Sequence, residues 1–298
     1  MDNEPKSSNH HLENHNPLES ALQNMMTFAE YAKTHHSTLY TYELSIGNKS
    51  LYYFGAKHVF DHESPMLGQI RTSFEEFQPD IVFIEGPIWD DEKVKKISAM
   101  PIKDVVASYG ETGFTLRLAI DKNIPWHAPD PNMKEAFNYL PTQGFSKDEI
   151  FTWFLLQAAR LYSKREHESS FEDYAKPYVD FIKSSTDWSI FDFSPNRALQ
   201  LGEQILGRPI NLKTLHSEMP NLHNPIPSKD RTLIGVIDAA WTDYRDQKIV
   251  TDIATELEDN DRIFLTYGAS HAVMEEPALR KLFASEKNQW DDLRLTAS

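Results

Sequence analysis

Two apolar, aromatic-rich runs that stop at the same short motif constrain this chain most. Leu51-Tyr52-Tyr53-Phe54 leads into Gly55-Ala56-Lys57-His58, and Ile263-Phe264-Leu265-Thr266-Tyr267 leads into Gly268-Ala269-Ser270-His271. Runs of β-formers closed by a glycine predict a strand that ends in a turn. Acidic residues, a proline and a helix-like segment follow both: Asp61, Glu63, Pro65 and Leu67 in one, Glu275, Glu276, Pro277 and Leu279 in the other. One local structure, a strand whose glycine turn presents a histidine, is thus predicted twice. Side by side in one sheet, the two strands bring two imidazoles to one edge.

The segments between give the fold class. Leu39–Ile46 meets Leu51–Phe54 across Gly47-Asn48-Lys49, which predicts a hairpin into the first motif. Apolar residues at 67, 70, 74 and 77 have helical spacing. Ile81-Val82-Phe83-Ile84 does not alternate, as in a strand buried on both faces, and it ends in Glu85-Gly86-Pro87. This strand–helix–strand order predicts a right-handed parallel unit, with His58 and Glu85 leaving the same edge of the sheet. Helices are expected over 18–34, 112–122 and 230–258, and strands over 124–128 and 262–267. Ser146 and Glu149 form a capping box before a helix with Phe151, Phe154, Leu155, Ala158 and Tyr162 on one face. Residues 218–230 read as a loop. The expected architecture is one α/β domain over 18–298, a central mixed and largely parallel sheet flanked by helices. A helical cap or insertion occupies about 145–225, and 1–17 forms a disordered tail.

Composition limits the chemistry. There is no cysteine, so any metal must take nitrogen and oxygen ligands. Lys and Arg number 30 against 45 Asp and Glu, a formal net charge of −15, which argues against nucleic acid or an anionic membrane as partner. The first residues lack the basic start and apolar run of a secretory leader, so a cytoplasmic location is expected. Phosphate-loop, dinucleotide and nucleophile-elbow patterns are absent.

His58, His271 and Glu85 make a set of two histidines and one carboxylate. Such a set leaves coordination positions open for water and substrate on a divalent ion, with zinc, manganese, cobalt and iron all admissible. In the plainer alternative both histidines cap strands. Arg245, mid-helix before the second motif, suits an oxyanion or a substrate carboxylate; a surface ion pair involving its Asp246 neighbourhood is the alternative. His62 and Glu63 read as loop residues, and His127 and Asp130 as turn residues. Glu111 reads as an acid at a helix N-terminus.

Gly55 and His58, Glu85, Arg245 with Asp246, and Gly268 and His271 together resemble the TIKI/TraB-type superfamily, with its erythromycin-esterase-like and ChaN-like relatives. Members carry Gly-x-x-His near each end, a Glu at the end of the intervening strand and an Arg-Asn pair on the helix before the second motif. This chain has Asp246 in place of that Asn, and Ala56 where esterase-like members often have Glu. The resemblance covers about 40–290. It implies a mixed α/β domain and a metal-dependent hydrolase acting on a peptide or ester carbonyl of a small-molecule or peptide substrate. His58, Glu85 and His271 would hold the ion, Glu85 serving as ligand or as general base, with Arg245 and Asp246 as catalytic residues. A non-enzymatic protein binding a ligand or metal in the same pocket is the second expectation.

Overall fold

The computed structural model describes residues 16–86, 89–164 and 169–284. Most of the tail expected at 1–17 therefore lies outside the described residues. The first helix is expected as one piece but is broken into α1 (Pro17–Leu22) and α2 (Phe28–Tyr31). The break has a cause in the sequence. Thr27 and Glu30 exchange side-chain and backbone hydrogen bonds in a capping box, so the helix restarts there.

β1 (Tyr40–Ile46) and β2 (Lys49–Ala56) form the predicted antiparallel hairpin. The chain then makes α3 (Pro65–Phe77), β3 (Ile81–Ile84), α4 (Asp91–Ala99), α5 (Ile102–Asp121) and β4 (Trp126–His127). After α6 (Met133–Thr142), α7 (Lys147–Ser163), α8 (Phe171–Ser185), α9 (Pro195–Leu206) and α10 (Leu215–Leu222) comes the long α11 (Leu233–Asp259). β5 (Arg262–Gly268) and α12 (Ala269–Phe283) close the described chain. α4 carries no apolar stripe to read, since Ile97 alone is buried on it. α6 starts at an Asn132/Glu135 capping box just after the turn that holds Asp130.

The sheet is five-stranded and mixed, in the order β1-β2-β5-β3-β4. Strands β2, β5, β3 and β4 are parallel. β2 and β3 are parallel as the strand–helix–strand order implies, but they are not neighbours, because β5 lies between them. Residues 263–267 of β5 are all buried. A strand apolar on both faces gains most where helices cover both, which is the middle of the sheet.

One face of the sheet packs on α1, α12 and the second half of α11, through Ile249, Ile253 and Leu257. The other face packs on α3 and α5 through Ile70, Phe74, Val105 and Leu116. A third apolar cluster lies within the cap, with Phe151, Trp153 and Ile182 against Ile234, Ile237 and Trp241 from the first half of α11. α11 thus runs from the cap core into the sheet core, and Arg245 and Asp246 sit between its two buried halves. Among the described residues no helix is long and apolar enough to cross a membrane.

Candidate functional site at the carboxyl edge of the sheet

The four parallel strands end on one edge, where open α/β sheets place their ligands. His58 follows β2, Glu85 follows β3, Asp130 follows β4, and His271 lies in the first turn of α12 after β5. His58 and Glu85 line one cleft of about 310 Å³ with Trp89, Lys93, Tyr109 and Thr112.

The two Gly-Ala-x-His motifs do not build the same structure. β2 and β5 pair with Ala56 opposite Gly268 and Gly55 opposite Tyr267, so the motifs are out of step by one residue. Gly55 is inside β2, where a Cβ would lie 2.4 Å from the Tyr40 carbonyl oxygen and 2.8 Å from Ala272 Cβ. Its absence of a side chain lets α12 approach the sheet. Gly268 instead caps α12, and His271 falls inside the helix, not in a turn. His58 is exposed in the loop after β2, with 63% of its side chain accessible, whereas His271 is buried.

Both imidazoles are nevertheless held alike. His58 Nδ1 donates to Glu111 Oε1 at 2.7 Å, and His271 Nδ1 donates to Asp246 Oδ1 at 2.5 Å. A carboxylate only accepts, so in the neutral ring the proton sits on Nδ1 and Nε2 is the nitrogen left over. Glu111 Oε2 also accepts from the Val59 backbone N–H at 2.9 Å, fixing the loop that carries His58. Glu111 reaches the loop because α5 is kinked at Gly110, whose φ of 63° suits glycine and where a Cβ would lie 2.9 Å from the Val59 oxygen. The hydrogen bond to Glu111 pushes His58 up to about 9, with Glu85 adding to it and burial and Arg245 opposing. For His271 burial works against the charged ring, but the charge and hydrogen bond of Asp246 outweigh it and raise the pKa.

Glu85 Oε2 accepts from the Gly268 backbone N–H at 2.8 Å. A Cβ on Gly268 would lie 3.4 Å from His271 Cδ2 and 3.5 Å from Glu85 Oε2, so both side chains border the glycine at the end of β5. Arg245 Nη2 is 3.7 Å from Glu85 Oε1 and 2.8 Å from Asp130 Oδ1, and its Nε also donates to Asp130 Oδ1 at 2.8 Å. The arginine is therefore neither a surface residue nor paired with its own neighbour. Burial disfavours its charge, while Asp130 and Glu85 hold the proton on more firmly. Asp130 Oδ2 accepts from the Gly86 backbone N–H at 2.7 Å, so this residue, read as a turn former, locks Arg245 to the end of β3. His127 pairs with Asp252 at 2.9 Å, and His62 with Glu63 at 2.8 Å.

The most compact group of ligand-type side chains among the described residues is a different one. Atoms of Asp246, His271 and Glu275 all lie within 4.8 Å of one another. His58 and Glu85 stand outside this group, so the expected set of His58, Glu85 and His271 is not closed as the side chains are placed. Glu275 is one helical turn after His271 and accepts from the Tyr53 hydroxyl at 2.9 Å. Burial and the charge of Asp246 push Glu275 well above the usual carboxylate range. Its one sequence signal is the i, i+4 spacing from His271, which becomes legible only once that histidine is known to be helical.

No family model matches the chain, no curated protein matches it, and no solved structure matches it.

Proposed function

We propose that the carboxyl-edge cleft is the site of a metal-dependent hydrolase acting on a peptide or ester carbonyl. The reading rests on one observation: both motif histidines donate Nδ1–H to a buried carboxylate, Glu111 or Asp246, so that in the neutral ring Nε2 is the ligand nitrogen. Metal-binding histidines are oriented in this way, because the carboxylate fixes the tautomer and makes the other nitrogen a better ligand. The donor set, nitrogen and carboxylate oxygen without thiolate, suits zinc, manganese, cobalt or iron. His58, Glu85 and His271 would hold the ion. When bound it would polarise the carbonyl and lower the pKa of a water.

The chain's own groups divide the remaining work. Glu85 is fixed by the Gly268 N–H through one oxygen, and its other oxygen, beside Arg245, is placed to bind or to take up a proton. Arg245, preset by Asp130, offers a guanidinium to an oxyanion. Trp89 and Tyr109, whose rings meet edge-on at 5.4 Å, present an apolar wall to the substrate. The likeness to TraB-type proteins in the order of these residues supports the same reading.

The test is metal content followed by turnover. Chelator-stripped protein offered each ion should take it up, and His58→Ala or His271→Ala should abolish uptake at the cleft. Metal-loaded protein should then cleave members of a peptide and ester panel. Arg245→Ala should keep the ion and lose ~2–4 kcal/mol of transition-state stabilisation, with Arg245→Lys rescuing only part. Uptake without turnover of any panel member would favour a protein that binds its ligand through the metal and does not cleave it. Full turnover by Arg245→Ala would confine the arginine to holding Asp130 in place.

A further inference from the structure

We propose that Asp246 and Glu275 form a second, buried site for one divalent cation, beyond the hydrolase reading. Both carboxylates are fully buried and belong to the group whose atoms lie within 4.8 Å of one another. Each has one oxygen engaged: Asp246 Oδ1 by His271 and Glu275 Oε2 by Tyr53. Each has one buried oxygen without a hydrogen-bond partner, Asp246 Oδ2 and Glu275 Oε1. The hydroxyl of Tyr267 is likewise buried and unpartnered.

Orphaned buried oxygens are costly, and two carboxylates buried close together are more so. No lysine or arginine forms an ion pair with either carboxylate among the described residues; Arg245 is committed to Asp130 and Glu85. A divalent ion between the free oxygens removes both costs, since two carboxylates balance its charge and a buried site must be close to neutral. Carboxylate oxygens favour a hard cation such as manganese, magnesium or calcium. His271 keeps Nδ1 on Asp246 Oδ1, and the two unpartnered carboxylate oxygens are left to the cation.

The full-length chain is stripped with chelator, dialysed against Mn²⁺ and assayed for bound metal. His58→Ala/Glu85→Gln removes two of the three cleft ligands, leaving His271 alone there, and should retain one Mn²⁺ per chain. Adding Glu275→Gln, which keeps an acceptor for Tyr53, should weaken that remaining ion by about tenfold or more, as loss of a charged ligand oxygen requires. In melting experiments Mn²⁺ should stabilise the His58→Ala/Glu85→Gln protein and not the triple variant. Loss of all metal from His58→Ala/Glu85→Gln overturns this inference and leaves the hydrolase reading standing. Metal that survives in that variant but is missing from Glu275→Gln alone supports the buried site and removes the cleft ion. An unloaded Glu275→Gln protein that melts above wild type, with neither responding to Mn²⁺, shows a proton between the carboxylates and overturns the inference. A wild type that binds no ion overturns both.

Discussion

At the scale of single residues, carboxylates decide what each histidine is. Glu111 and Asp246 select the same tautomer in two rings that differ in burial and local structure. If this orientation serves a ligand, Glu111→Gln and Asp246→Asn should each lower metal affinity about 10–100-fold, the usual cost of losing such a partner. Isothermal titration checks this, and unchanged affinity in both variants would reduce the carboxylates to hydrogen-bond partners. The same pair sets a pH dependence in the metal-free protein. His58 is raised to about 9, first by the Glu111 hydrogen bond, from an unfolded value of about 6.5. A raised folded pKa means that its stabilisation is complete below about 6.5 and is lost as pH rises through about 9. Melting temperature should therefore fall across that window in chelator-treated wild type and stay flatter in Glu111→Gln. Asp243 offers an independent case. Burial, then the charge of Asp246, raises it to about 6 from 3.8, so its ionisation costs stability as pH climbs through that range. Asp243→Asn should raise stability at pH 7 by about 1 kcal/mol after allowance for solvent screening, and should change little at pH 4. An equal gain at both pH values would point to packing and not to charge.

At the scale of elements, α11 and α12 do the positioning. α11 joins two cores, and its rigidity sets Arg245 and Asp246 at a fixed height above the strand ends. α12 starts at the end of β5, so a strand-end glycine becomes a helix cap and the histidine three residues on enters the first turn. The positive helix end disfavours a charged imidazole there, and Asp246 from α11 counters it. The approach of α12 to β2 depends on Gly55. Gly55→Ala should destabilise the protein by about 1–3 kcal/mol or more, as overpacking does, because the clashing atom is a backbone oxygen that cannot rotate away. Denaturant unfolding measures this. A loss below about 0.5 kcal/mol, the range of an innocuous surface change, would show that α12 can shift outward without cost.

At the scale of the whole molecule, the cap and the sheet each have an apolar core, and α11 contributes to both. A helix cannot lose one half of its packing without exposing the junction, so the two cores should unfold together. With Trp89, Trp126 and Trp290 replaced by Phe, the fluorescence of Trp153, Trp188 and Trp241 reports on the cap core, while far-UV circular dichroism reports on all helices. The two signals should share one urea midpoint. An earlier fluorescence transition would show a cap that opens alone, and access to the cleft would then need to be measured with the cap open. The charge of −15 fits a molecule whose site collects carboxylates around one arginine and two histidines.

Local pattern determined much of this protein. The buried run Ile81–Ile84, the hairpin at Gly47-Asn48, the Ser146/Glu149 cap and the long helix before the second motif were legible because period, turn chemistry and capping act over a few residues. The recurrence of His58, Glu85 and His271 at strand ends placed them on one edge for the same reason. Tertiary structure decided the rest. That β5 enters between β2 and β3 follows from burial on both faces, which no segment reveals alone. Glu111, Asp130 and Glu275 became site residues through partners 53, 115 and 222 positions away in sequence. Local sequence carries no trace of such distant pairings. The repeated Gly-Ala-x-His shows the limit most plainly. The letters are the same, but one glycine yields to a helix packed against it and the other begins a helix, because the sheet registers the two strands one residue apart.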